Sequence, residues 1–212
     1  MSEPLLLASA NAKKIAELRP LLQPIGVELL GLSDLAARGL PEVGEIIEDG
    51  DTFAANAAIK AVTAAKTTGL SAIGEDSGLC VDALGGRPGV YSARYSGTPP
   101  DYADASDERN NARLIEELDG VPPEQRGAAY VCHIALAAPN GTVLAEAEAS
   151  CRGRIGSEPR GSHGFGYDPY FVVPEYHRTF AELGPTVKKA LSHRGRALAL
   201  FLPRLRAAMT GE

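Results

Sequence analysis

The chain has 212 residues, of which 44% are hydrophobic and 23% charged, and a formal net charge of −6. Such a length supplies one substantial core within one or two domains, and the composition is ordinary for a soluble globular protein. The charge argues against a protein that coats nucleic acid, and no run of about 18 apolar residues offers a membrane span. At the N-terminus, "MSEPLLLASANAKK" puts an acid before the apolar stretch and lysines after it, the wrong order for a secretory signal. Cys80, Cys132 and Cys151 are odd in number and show no C-x-x-C, so neither a disulfide framework nor a zinc knuckle is expected, and reducing cytoplasm is the expected compartment. Residues 1–149 hold 11 Lys+Arg against 22 Asp+Glu, whereas residues 150–212 hold 10 against 5. Either the terminal helix has a basic face, or an acidic and a basic half share one cleft suited to a metal-bound polyanion.

In chain order, Leu5–Ala8 reads as a short buried strand. A helix over "NAKKIAELRPLLQPI" follows, with Ile15, Leu18 and Leu22 on one side. Val27–Leu32 is expected as a second strand. The polar loop "PEVGEIIEDGD" then leads into the Ala-rich helix "TFAANAAIKAVTAAKTT", closed by Gly69. Strands at Ser71–Ile73 and around Val81–Leu84 are expected to bracket "GEDSG", residues 74–78. "DYADASDERNNARLIEELDG" reads as an exposed helix, and "AAYVCHIALAAPNGTVLAEAEAS" as an antiparallel hairpin turning at Asn140-Gly141. A Gly-rich loop over 153–168 precedes a strand at Tyr170–Val173, and the last helix, "SHRGRALALFLPRLRAAM", carries a potential kink at Pro203. Early strand–helix alternation with a later hairpin implies an α/β protein with a mixed sheet.

Familiar phosphate-binding devices are missing. There is no G-x-x-x-x-G-K-[ST] loop, no G-x-G-x-x-G after a strand and no G-x-S-x-G elbow. His133, His163, His177 and His193 lack the i, i+4 pairing of zinc ligands.

Four segments carry the remaining chemistry. "SANAKK", Ser9 to Lys14, lies where the first strand becomes a helix. Backbone N–H groups there attract anions, small residues admit a phosphate, and Asn11 and Lys14 can face one group. The alternative is an N-capping Asn11 beside a solvated Lys14. Thr52, Asn56 and Lys60 form one stripe of an otherwise apolar helix, after Glu48 and Asp49; the stripe faces either solvent or a cleft. Glu75 and Asp76 repel each other and call for a cation. Acids after a short strand are typical of α/β active sites, and carboxylates with substrate phosphates suit magnesium; otherwise they merely cap a turn. Finally, "PRGSHGFGYDP" and "VKKALSHRG" bring Phe165, Tyr167, Asp168, Lys188, His193 and Arg194. An aromatic ring between glycines can stack on a base, and His and Arg donate to carbonyl acceptors. A structured Gly turn and a helix capped by Ser192 are the plainer alternatives.

These segments, with "EDSGLCVDALGGRPGVYSARYSG", stand in the order and spacing of a known family. Over nearly its whole length the chain resembles the inosine triphosphate pyrophosphatase family, also called dITP/XTP pyrophosphatases; the combination of "GGRPGVYSAR", "GFGYDP" and "SHRG" is highly specific. The resemblance implies an α/β fold with an elongated central mixed sheet flanked by helices. It implies residues 1–212 as one domain of two lobes with an active-site cleft, assembled as a homodimer. The implied activity is Mg²⁺-dependent hydrolysis of non-standard purine nucleoside triphosphates (ITP, dITP, XTP) to monophosphate and pyrophosphate, with neither nucleic acid nor membrane as partner. Carried over by position, Ser9, Ala10, Asn11, Ala12, Lys13 and Lys14 would cradle phosphates. Glu48 and Asp76 would hold the metal, with Glu75 as a further ligand. Asp76 would be the general base, Ser77 would touch substrate and Lys60 would neutralise phosphate charge. Phe165, Gly166, Tyr167, Asp168, Lys188, His193 and Arg194 would hold the nucleotide and its base, and Lys14, Lys60 and Lys188 would stabilise the departing pyrophosphate. Glu75 stands where many relatives have Asp, Ala55 replaces a frequent Glu, and Val187 the usual Glu before Lys188, which bears on metal affinity. The rival reading is a purine-nucleotide-binding regulator without hydrolysis, which gives Glu48 and Asp76 no role.

Overall fold

Three leucines in a row build the first strand. β1 (Leu5–Leu7) is buried throughout, as a strand with parallel neighbours must be. It pairs parallel to β2 (Leu29–Gly31) on one side and to β3 (Ala72–Val81) on the other. The connections are α1 (Ala12–Leu22) and α2 (Phe53–Thr68). The chain steps outward from β1 to β2, then back past β1 to β3. Right-handed crossovers in opposite directions put α1 and α2 on opposite faces of the sheet.

This computed structural model describes residues 4–98, 102 and 104–210, apart from the side chains of Lys13, Ile25, Pro185 and Thr210. Beyond β3 the sheet continues through β4 (Gly127–Ala137), β5 (Val143–Ile155), β6 (Phe171–Val173) and β7 (Arg178–Thr179), in the order β2-β1-β3-β4-β5-β6-β7. β6 is antiparallel to both β5 and β7, so the sheet is mixed. Between β4 and β5, Gly141 N–H donates to Ala138 O and Ala138 N–H to Thr142 O, each at 2.8 Å. Gly141 has φ 86°, and so tight a link joins neighbouring strands only when they run antiparallel. The remaining helices are α3 (Asp107–Glu117), α4 (Phe180–Leu191) and α5 (His193–Thr210).

The chain divides into two compact units, one of Met1–Asp76, His133–Glu148 and Ala197–Glu212, the other of Ser77–Cys132 and Ala149–Arg196. In the first, Ala57, Ala61, Ala64 and Ala65 of α2 lie among Leu6, Leu30 and Ala72. Methyl-sized side chains let the helix sit close to the sheet. The second unit's core is larger-grained, with Leu79, Leu114, Tyr130, Phe171 and Phe180.

Several elements differ from their sequence expectation. "GEDSG" is not a turn between two strands but the middle of β3, and residues 82–84 are a 3₁₀ turn. Strand pairing overrides the glycines. β2 is shorter than Val27–Leu32, β5 claims residues 153–155 from the expected Gly-rich loop, and β6 begins at Phe171 rather than Tyr170. In "DYADASDERNNARLIEELDG" the helix starts only at Asp107, after Ser106, whose hydroxyl accepts the Arg109 N–H; Asn110 and Leu114 are buried. Residues 101 and 103 of that stretch lie outside the described residues. β7 and α4 were not expected, because Gly184-Pro185 interrupts the helical pattern. Gly184 is itself non-helical, at φ 73°, ψ 167°. α5 runs on through Pro203, with Phe201 and Leu205 buried on either side.

Candidate functional site

In an open α/β sheet, ligands bind outside the carboxyl ends of the strands where the winding reverses. In the first unit that place is the end of β1 beside β3, where Ala8 N–H donates to Ile73 O at 2.8 Å. From here run the two segments singled out in the sequence, Ser9–Lys14 and Gly74–Asp76.

Ser9–Lys14 turns into α1 on its own side chains. Ser9 Oγ accepts the Asn11 N–H at 3.1 Å, and Asn11 Oδ1 accepts the Lys14 N–H at 3.4 Å, which makes Asn11 the helix N-cap. Ala10, Asn11 and Ala12 are exposed, and Ser9 is half-buried. Lys14 Nζ lies 3.0 Å from Glu75 Oε1. The side chain of Lys13 lies outside the described residues.

The alternation of β3 decides what the adjacent acids do. Gly74 faces α2 so closely that a Cβ there would stand 2.6 Å from the Ala61 nitrogen. Successive residues of a strand point to opposite faces, so Glu75 turns to α1 and Asp76 back to α2. Glu75, 5% exposed, pairs with Lys14. Asp76 instead faces the stripe on α2. Lys60 Nζ lies 3.3 Å from Asp76 Oδ1 and 2.7 Å from Glu48 Oε2. Asn56 Nδ2 donates to Asp76 Oδ2 at 3.2 Å, while its Oδ1 accepts the Gly50 N–H at 2.9 Å. Asn56 is 1% exposed, so the stripe is no solvated face. Thr52, expected to share it, is the N-cap of α2. Burial pushes the Asp76 carboxyl above its ordinary value, and Glu48 adds to this, against the pull of Lys60 and Asn56. Ser77, next along β3, is half-buried.

Magnesium, the cofactor implied by the resemblance, fits part of the expected ligand set. Glu48 and Asp76 bring hard oxygens to one shared cation, the Lys60 ammonium, so a small divalent ion could be shared likewise. Glu75, on the other face, does not join them. Among the described residues no group of three or more His, Cys, Asp or Glu could hold a metal. Water and substrate oxygens would therefore complete the shell, the usual arrangement for magnesium.

In the second unit, Phe165 stands between Gly164 at φ 86° and Gly166 at φ 61°, its ring 65% exposed. The residues after it turn inward. Tyr167 is buried and donates its hydroxyl to Ser92 O at 2.8 Å. Asp168, 2% exposed, accepts the Phe165 N–H at 2.9 Å and pairs with Lys188. Burial pushes its carboxyl up, against the pull of Lys188 and the Phe165 N–H. Lys188 Nζ also lies 4.7 Å from the centre of the Phe165 ring. Of Phe165, Gly166, Tyr167 and Asp168, only Phe165 offers a side chain to solvent; Tyr167, Asp168 and Lys188 hold the loop. His193 opens α5, its ring stacked on Tyr130 with centroids 4.8 Å apart, and Arg194 beside it is half-buried. Ser192 Oγ accepts the Gly195 N–H at 3.1 Å, as the capping alternative required.

Residues 5–204 match the model of the Ham1 family. The chain belongs to the Ham1 family. It is 51% identical over 201 residues to the dITP/XTP pyrophosphatase of Rhodopirellula baltica, covering 95% of this chain and 92% of that protein. To the protein of the same name from Mycobacterium bovis it is 50% identical over 207 residues, 98% of this chain and 97% of the other. Among solved Ham1 structures, that of Coxiella burnetii superposes with a TM-score of 0.85 at 39% identity, covering all of both chains. The nucleoside-triphosphatase / dITP/XTP pyrophosphatase of Mycobacterium abscessus superposes at 0.77 with 47% identity, covering 95% and 99%. The family anticipated from the motifs is therefore the one matched. The sequence placed Asn56 on the stripe with Lys60 but gave it no role; the structure has it donate to Asp76.

Proposed function

We propose that this Ham1 chain is a hydrolase that converts ITP, dITP and XTP to the monophosphate and pyrophosphate with magnesium, removing non-standard purines from the nucleotide pool. The observation that carries the reading is the meeting of Glu48 and Asp76 on the Lys60 ammonium, with Asp76 oriented by buried Asn56. A regulator that only binds nucleotide gives Glu48 and Asp76, gathered on one ammonium, no role. The names of its relatives support the substrate class.

Glu48 and Asp76 would hold the metal. Bound magnesium would draw charge off the phosphate chain and make nearby water more acidic. Asp76 accepts the proton of the attacking water as the new bond forms to the α-phosphorus. The anhydride bond to the β-phosphate breaks, and pyrophosphate leaves with the bonding electrons. Lys60, and Lys14 held by Glu75, stabilise the charge that builds on it. Ser9, Ala10, Asn11, Ala12 and Lys13 approach phosphate oxygens, and Ser77 contacts substrate. In the second unit Phe165 supplies a stacking face, while His193 and Arg194 donate to the 6-oxo group of hypoxanthine or xanthine. Lys188, paired with Asp168, serves the Phe165 loop. Free thiols at Cys80, Cys132 and Cys151 suit the cytoplasm, and a homodimer belongs to the same reading by resemblance.

The test is incubation with ITP and Mg²⁺, with pyrophosphate and orthophosphate assayed separately. Pyrophosphate with IMP is the expected product pair. Orthophosphate alone would indicate a stepwise phosphatase, and no product would leave only binding.

A further inference from the structure

Phe165 is flanked by two glycines in the left-handed region; Asp168 accepts its N–H and Lys188 lies over its ring, but the glycine backbone on either side needs further support. Most residues strongly disfavour that conformation and glycine does not, so the backbone here is adaptable unless something outside holds it. The bonds that hold Gly166 come from α3. Its N–H donates to Asp107 Oδ2 at 2.7 Å, and its carbonyl accepts Asn111 Nδ2 at 2.9 Å. Asp107 and Asn111 are four apart, hence neighbours on one face of the helix. Together they grip both polar groups of the residue directly after Phe165.

The grip is anchored in its turn. Asn110, buried beside Asn111, accepts the Ser96 N–H at 2.7 Å and donates to Ala93 O at 3.0 Å. These bonds tie α3 to the "GVYSARYS" segment, where Ser92 O accepts the Tyr167 hydroxyl. Asn111 Nδ2 also donates to Asp107 O at 2.8 Å. Two carbonyls therefore fix which way its amide points, and its buried Oδ1 has no hydrogen-bond partner among the described residues. A buried acceptor left bare destabilises the fold. Fold stability alone would be served as well by an apolar residue at 111; holding the Gly166 carbonyl requires a donor.

We infer that Asp107 and Asn111 are positioning residues that set the pose of the Phe165 ring and thereby the affinity for the purine base. The inference rests on the reading of Phe165 as the base-stacking face. Neither residue belongs to the motifs that mark the family in this sequence.

The chain contains no tryptophan, so Phe165→Trp places a single reporter on the proposed stacking face. IMP titrated into full-length Phe165→Trp should quench its emission. Adding Asp107→Ala should raise the dissociation constant for IMP about ten-fold, the range for losing a charge-assisted hydrogen bond. Asp107→Asn should restore most of the affinity, since an amide oxygen accepts the same N–H. Asn111→Ala gives an independent arm, expected to weaken IMP binding with little change in melting temperature. In the otherwise native chain each alanine variant should raise KM for ITP more than it lowers kcat. No IMP-dependent change in Phe165→Trp would overturn the stacking reading, and this inference with it. Quenching with one unchanged affinity across Asp107→Ala and Asn111→Ala would overturn the inference alone, as would a loss that Asp107→Asn does not rescue.

Discussion

Asp76→Asn separates the chemistry of the site from its architecture. The substitution keeps the side chain's shape. Asn56 Nδ2, now 3.2 Å from Asp76 Oδ2, can still donate to the new amide oxygen, and Lys60 keeps Glu48 at 2.7 Å. What is lost is a negative charge 3.3 Å from Lys60 and the acceptor for the water proton. Burial holds the Asp76 carboxyl above its ordinary value of 3.8. A raised carboxylate costs the folded state most at pH above its folded pKa, and the cost shrinks as pH falls toward the unfolded value. At neutral pH the variant should therefore melt no lower than the parent. Turnover should fall by a factor on the order of 10² or more, about 2.7 kcal/mol in barrier height. Pyrophosphate release from ITP at saturating magnesium, beside thermal melts without magnesium, reads both quantities. Near-normal turnover would refute the assignment of the base; a collapse in melting temperature would show that Asp76 is a structural anchor.

Gly74→Ala would drive a methyl group into the α2 backbone, 2.6 Å from the Ala61 nitrogen. It should cost about 1–3 kcal/mol in urea denaturation, the range for overpacking, and lower turnover by moving Asp76 off Lys60. Burial would raise Glu117, yet bonds from Tyr95 and Arg113 hold it below its ordinary 4.5. Its contribution is thus complete above that value and disappears as pH falls through the lower folded value. Melting temperature followed against pH should lose part of its acid slope in Glu117→Gln, and identical profiles would contradict the assignment. ITP should exceed ATP in kcat/KM by roughly 5- to 150-fold, the worth of one donor left unpaired by the adenine amino group. Equal values would remove His193 and Arg194 as readers of the 6-oxo group.

Much of the site was legible because its signals are local. The spacing of Asn56 and Lys60, the Gly69 cap, the strand-to-helix passage at Ser9–Lys14 and the family motifs all lie within a few residues of one another. Helix periodicity turns such spacing into geometry directly. The strand through "GEDSG" was not legible, since glycines on both sides mimic a turn and only pairing within the sheet overrides them. α4 stayed hidden for a similar reason, with Gly184-Pro185 breaking the pattern that Phe180 and Leu191 bound.

The amino-acid order alone determined the α/β class, the family and the inventory of acids, lysines and aromatic rings. Tertiary structure decided how that inventory is shared out. Two opposed crossovers put a different helix on each face of β3, so adjacent Glu75 and Asp76 take different partners, Lys14 and Lys60. Inward turning of Tyr167 and Asp168 leaves Phe165 as the exposed ring of its loop. Such allocations depend on which segments distant in the chain become neighbours, and long-range packing sets that; local spacing does not encode it.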